Sequence, residues 1–251
     1  MKNKIDAISR KVYLDIIFKL PILNKFIKYL LLFIFPGSKS YWEHRYKNGR
    51  DSGSGSYNRL AKFKADVVNS FIKEKKLRFA IEFGCGDGNQ LSLIEYPHYI
   101  GLDISPTAIK KCINRFANDK TKSFFLYDTL CFADNHNIFK AEISLSLDVI
   151  FHLTEDDIFS NYMKLLFASS RKYVMIYSSN HNGCQVYHQK NRKFTDWINQ
   201  NEKKWKLIKI IINKYPQNTS DSSNTSKSDF YIFKKSNKMI IPNKEKRYED
   251  Q

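Results

Sequence analysis

Apolar residues recur along the chain in two rhythms, and the switches between them outline a fold. From Asn58 to Lys75, Leu60, Phe63, Val67, Val68 and Phe71 keep a helical spacing, which predicts a helix with one apolar face. Leu77 to Phe83 is instead a short apolar run ending in glycines, the pattern of a buried strand. Gln90 to Glu95 predicts the start of a helix, and Tyr99 to Asp103 a second strand that ends in an acid. Ser105-Pro106 supplies a capping hydroxyl and a first-turn proline for a helix reaching about Phe116. Ser123–Tyr127 and Ala141–Leu147 predict the third and fourth strands, each followed by an aspartate, Asp128 and Asp148. Ile158, Tyr162, Leu165 and Leu166 give helical spacing over Glu155–Ser169, and Lys172–Tyr177 predicts a fifth strand. A short helix over Phe194–Asn199 and two strands, Trp205–Tyr215 and Asp229–Lys234, complete the pattern.

Strands alternating with helices predict a doubly wound α/β fold: a mostly parallel seven-stranded sheet with helices on both faces. The last two strands have no long helix between them, which predicts a C-terminal antiparallel hairpin at one edge. The chain divides into a basic, apolar N-terminal helical appendage over 1–40, a lid and helix over 41–75, the α/β domain over 76–240 and a frayed tail over 241–251.

Composition changes this picture little. An apolar content of 42% suffices for a core, and a net charge of +17 suits a phosphate-bearing or anionic-lipid partner. Lysine far outnumbers arginine and no block of five like charges occurs, which fits lysines spread over a solvated surface. Cys85, Cys112, Cys131 and Cys184 form no Cys-x-x-Cys pair, so a reduced, cytoplasmic setting is expected. Tyr13 to Pro36 is rich in Ile, Leu and Phe but carries Lys19, Lys25 and Lys28, and its uninterrupted apolar stretch is far shorter than the ~20 residues of a membrane span. It reads as an interfacial anchor on the inner membrane surface or as a cap helix.

The candidate chemistry begins at Glu82-Phe83-Gly84-Cys85-Gly86-Asp87-Gly88-Asn89. A strand ending in alternating glycines lets the backbone bend sharply and approach a ligand, with the amides of a following helix behind it. Asn89 stands where a dinucleotide fingerprint needs glycine, and no Gly-Lys-Ser/Thr is present for a phosphate loop. The run resembles the class I S-adenosylmethionine-dependent methyltransferases, over roughly Leu77 to Lys234. That resemblance implies S-adenosylmethionine as cofactor, with Glu82, Gly84, Cys85, Gly86 and Gly88 wrapping its methionine and ribose. It implies Asp103 on both ribose hydroxyls, Ile104 against adenine, Asp128 and Thr129 at the adenine amino group, and Asp148 and Val149 beside the methionine. Tyr41-Trp42-x-x-Arg45-Tyr46, Ser52 to Ser56, Phe63-Lys64-Ala65, Asp148 to Leu153 and Arg192 to Trp197 further resemble bacterial methyltransferases associated with surface-glycan biosynthesis.

Methyl transfer requires an aligned acceptor and the handling of one proton, so histidine is the first suspect. His152, after the fourth strand, and His188, in the loop after the fifth, are the catalytic candidates, with His181 behind them. Arg192 could clamp an anionic group of the acceptor and Tyr41 could contact it. Arg45 could pair with the methionine carboxylate under a flap at Ser52–Ser56. Asp128, Asp134 and Asp148 show no metal-ligand spacing, and no metal is expected. The expected reaction is O-methylation of a sugar or glycan-linked acceptor. A nucleic-acid methyltransferase is less favoured because Leu147-Asp148-Val149-Ile150 stands where an amine-gripping Asn/Asp-Pro-Pro-Tyr run would be. A small-molecule methyltransferase and a non-catalytic scaffold are the remaining alternatives, and oligomeric state is left open.

Overall fold

A computed structural model describes residues 34–183 and 185–236 of the 251-residue chain. The expected anchor or cap segment up to residue 33, Cys184 and the tail expected over 241–251 lie outside the described residues. Seven strands form one sheet: β1 (Phe79–Phe83), β2 (His98–Asp103), β3 (Lys122–Leu126), β4 (Ala141–Leu147), β5 (Ser170–Ser178), β6 (Trp205–Ile211) and β7 (Asp229–Lys235). Their order is β3-β2-β1-β4-β5-β7-β6. β1 to β5 are parallel, and β7 inserts antiparallel to both β5 and β6. The expected antiparallel pair therefore exists, with the last strand inside the sheet and β6 at its edge.

Among the described residues five helices flank the sheet: α1 (Ser38–Lys47), α2 (Asn58–Lys75), α3 (Pro106–Arg115), α4 (Asp156–Ala168) and α5 (Phe194–Asn201). α2 and α3 bury Val68, Phe71, Ile109 and Cys112 against one face of the sheet. α4 and α5 bury Tyr162, Met163, Leu166 and Ile198 against the other. The cap of α3 is as the sequence implies, with Ser105 Oγ accepting the Ala108 N–H at 3.0 Å and Pro106 in the first turn. Among the described residues no helix is long and apolar enough to cross a membrane.

One predicted element differs. Gln90–Glu95 forms a single 3₁₀ turn, Leu91–Leu93, rather than a helix. Pro97 disfavours helical geometry at Tyr96, and β2 starts at His98, which leaves too few residues to propagate one. The glycine bend consequently lacks the helix N-terminus expected behind it; the Gly84, Cys85 and Gly88 amides donate to backbone carbonyls, and those of Gly86, Asp87 and Asn89 to the side chains of Asp103, Ser52 and Asp87.

Candidate active site

The chain leaves β1 through Gly84 (φ +85°), Gly86 (φ +59°) and Gly88 (φ +76°), all left-handed. A Cβ at Gly84 would sit 2.5 Å from Val149 Cγ2, and one at Gly86 would sit 2.4 Å from Ser52 Oγ, so neither position accepts a side chain. Asp103, buried at the end of β2, faces this bend. Its Oδ2 accepts the Gly86 N–H at 2.9 Å, and its Oδ1 accepts the Ser105 N–H at 2.9 Å. Burial pushes its pKa up to about 6, against the pull of the backbone donors.

Beside the bend opens a cavity of about 840 Å³, counted out to its mouth. Glu82, Gly84, Cys85, Gly86, Asp103, Ile104, Thr129, Asp148 and Val149 all line it. Glu82 is buried, accepts the Tyr99 hydroxyl at 2.8 Å, and is pushed up to about 7 by burial. Two buried polar atoms on the wall, Gln90 Oε1 and Thr129 Oγ1, have no hydrogen-bond partner among the described residues. Such atoms are costly unless a ligand or water meets them.

The floor holds a residue to which sequence reasoning assigned no role. Lys64, on α2, has a side chain 0% exposed, and its Nζ bonds Asp148 Oδ2 at 2.6 Å. Among the described residues it is the only lysine or arginine lining this cavity. Its signal was present in the sequence: Leu60, Lys64, Val68 and Ile72 form a stripe at four-residue spacing, with one cation on the buried face. Asp148 holds φ +59° at the end of β4 and turns its carboxylate between Lys64 and Ser228 Oγ, the latter at 3.3 Å.

A second cavity of about 1010 Å³, again counted to its mouth, adjoins the first. Trp42, Ser52, Asp148 and His152 line both. His152 packs edge-on to Trp42 at 4.8 Å and parallel to His188 at 5.5 Å, while His188 stacks on Tyr41 at 4.8 Å. His152 Nδ1 lies 3.1 Å from the His188 carbonyl oxygen, which can only accept, so Nδ1 carries the hydrogen and Nε2 keeps its lone pair. Burial drives the His152 pKa down to about 3, and burial with the Arg45 and Lys227 charges lowers that of His188. Both rings are neutral at physiological pH.

Other predicted residues lie elsewhere. Gly88 packs behind the bend, against Phe116 and Cys112. The Asp128 carboxylate points to Lys39 Nζ at 2.7 Å and lines neither cavity. Arg45 lies at the second cavity rather than the first. It bonds the Asp51 carbonyl at 2.7 Å and carboxylate at 3.1 Å, since Asp51 is the nearer anion. Arg192 also lines neither cavity, because Leu153 O, Thr154 O and Asp156 Oδ1 take up its donors at 2.5–3.1 Å. The flap at Ser52 is latched to the bend. Ser52 N–H donates to Asp87 Oδ2 at 3.0 Å, and Asp87 N–H donates to Ser52 Oγ at 3.0 Å.

No known family model matches the chain. A small RNA 2'-O-methyltransferase from Arabidopsis thaliana is 31% identical over 109 residues, 39% of this chain; the chain spans 12% of the length of that curated relative. Among solved structures, the methyltransferase domain of the bacterial CtHen1-C superposes with a TM-score of 0.56 at 20% identity, over 71% of this chain and all of that one. The N-methyltransferase NodS of Bradyrhizobium japonicum, solved with S-adenosyl-L-homocysteine, gives 0.58 at 11% identity, over 79% of this chain and 98% of its own. The chain has the fold of the S-adenosylmethionine-dependent methyltransferases. In a methyltransferase fold the carboxyl ends of the strands are where ligands sit, and the Gly84–Gly88 bend, Asp103, Asp148 and both cavities lie at that end.

Proposed function

We propose that the protein is an S-adenosylmethionine-dependent methyltransferase that acts on a sugar hydroxyl. The observation that carries this reading is the junction of the two cavities. A carboxylate and a glycine bend line one, aromatic and polar side chains line the other, and neutral His152 stands in the shared wall. The residues present fit the cofactor: Gln90 Oε1 and Thr129 Oγ1 await partners, and no Cβ obstructs the approach at Gly84 or Gly86. Asp103 would take the ribose hydroxyls, Ile104 and Thr129 the adenine side, and Asp148 and Val149 the methionine side. S-adenosylmethionine brings a methyl group already activated on sulfur. The protein therefore has to orient the acceptor and take up one proton. His152 Nε2 accepts the hydroxyl hydrogen and so aims an oxygen lone pair. A weak base is adequate here, because a hydroxyl oxygen that has gained a methyl group is strongly acidic.

Two results are expected. His152→Gln lowers the methyl-transfer rate by about 10²-fold while S-adenosylhomocysteine affinity stays within a factor of about three. A comparable loss of affinity would remove His152 from the chemistry. Radiolabel from the cofactor, offered to separated lipid, polysaccharide, RNA and protein fractions, goes to the carbohydrate, and label in protein alone would overturn the acceptor class. pH gives a third check. Asp103 binds ribose hydroxyls as a carboxylate, and its pKa is raised to about 6. Cofactor affinity, read by calorimetry, therefore holds above pH 6 and falls roughly tenfold per unit below it, where an ordinary aspartate would hold to about pH 4.

A second reading, methylation of a ribose hydroxyl in RNA, draws on the Arabidopsis relative, which is named a small RNA 2'-O-methyltransferase, and on the +17 charge. Label in the RNA fraction, with binding that weakens steeply as salt rises, would select it.

A further inference from the structure

The second cavity carries a charge excess that the fold does not use. Arg45 and Lys227 line it as cations, against the one carboxylate of Asp148; Asp51 and Lys64 reach it only as the ion-pair partners of Arg45 and Asp148. Asp148 is taken by Lys64, and Asp51 by Arg45. Lys227, half-buried on the β6–β7 loop, has no carboxylate within ion-pair distance among the described residues. Its ammonium sits 5.3 Å from the centre of the Phe151 ring, and its one hydrogen bond, to Gln189 Oε1, is 3.4 Å long. A cation held partly out of water without an anion is costly, which makes it a natural receptor for one. The side-chain amides of Gln189 and Gln217 line the same space, as do the rings of Tyr41 and Trp42. Amides match sugar hydroxyls as donors and acceptors, and aromatic faces match the C–H face of a sugar ring.

We propose that this cavity binds an anionic sugar, whose phosphate or carboxylate group docks on Lys227 while the amides of Gln189 and Gln217 hold its hydroxyls. The proposal rests on the methyltransferase reading and names the acceptor class for it. One anion fits, because the cations exceed the carboxylates by one. Burial already holds the Lys227 pKa below its ordinary value, and an arriving anion would raise it back toward that value.

The test uses the full chain and three probes that share one ring: glucose, glucuronate and glucose 6-phosphate. Each is titrated with and without saturating S-adenosylhomocysteine, following calorimetric heats and the ring resonances of His188. We expect at least one of the two anionic sugars to bind about tenfold more tightly than glucose, the equivalent of one partly buried ion pair, and the His188 signals to move with it. Lys227→Gln removes the preference and Lys227→Arg keeps it. Glucuronate and glucose 6-phosphate separate carboxylate from phosphate. Equal binding of all three sugars, or a preference that survives Lys227→Gln, overturns the proposal. So does an oligoribonucleotide that displaces glucose 6-phosphate at far lower concentration, which would make the cavity an RNA site. Loss of S-adenosylhomocysteine binding alone would sink the cofactor reading and leave the sugar comparison intact.

Discussion

Asp103→Ala is expected to abolish measurable binding of S-adenosylhomocysteine, a loss of at least about 100-fold. Two charge-assisted hydrogen bonds to ribose hydroxyls are each worth about 1.5–3 kcal/mol, and 1.4 kcal/mol is tenfold in affinity. The carboxylate also holds the Gly86 and Ser105 amides at 2.9 Å each, so its removal loosens the bend that shapes the cavity. Asp103→Asn separates the two effects. It keeps an acceptor for one amide but cannot accept from two hydroxyls and two amides together, so it should retain most of the stability and little of the affinity. Calorimetry with S-adenosylhomocysteine and thermal melts read the two quantities independently. Wild-type affinity in Asp103→Ala would remove the carboxylate from the cofactor site.

Lys64→Met is expected to lower stability by about 3 kcal/mol or more, because it leaves Asp148 charged, mostly buried and without its cation. In a domain of this size that is a fall of roughly 10 °C in melting temperature. Glu82 adds to the cost, since the Lys64 charge is one of the two influences that hold its raised pKa down. The double variant Lys64→Met with Asp148→Asn should recover a large part of the loss. Asparagine tolerates the φ of +59° at position 148 and brings no charge. Single and double variants that lose stability additively would mean that the pair is not coupled. A single variant as stable as the wild type would mean that the ammonium is not needed to neutralise the floor.

The sheet was legible because its signals are local. Apolar runs at 79–83, 99–103 and 141–147 end in glycine or aspartate, and the helical spacing of 58–75 and 155–169 is long enough to identify by itself. Asp103 and the bend could be placed for the same reason, since both follow directly from strand ends. Side chains brought in from distant segments were not legible. Arg45 and Arg192 are cations on loop-side elements, but which anion each meets is decided by tertiary packing: Asp51 in one case, and Asp156 with two carbonyls in the other. Lys64 received no role because the apolar face of α2 is rotated from the one that its larger residues suggest. Ala61, Ala65 and Ile72 are buried, whereas Phe63 and Val67 are only partly so. Small residues carry a weak hydropathy signal, and the larger ones drew the face toward themselves. The missing helix after the bend follows from Pro97, whose influence runs backward along the chain and is easily lost in a forward reading.

Asp148, Trp42 and His152 form a partition common to the two chambers. Whatever fills one chamber presses on the same side chains that greet the occupant of the other. Energetic communication between the occupants of the two chambers is thus built into the architecture. It is reciprocal: if the first guest sharpens the reception of the second by some factor, the second sharpens that of the first equally.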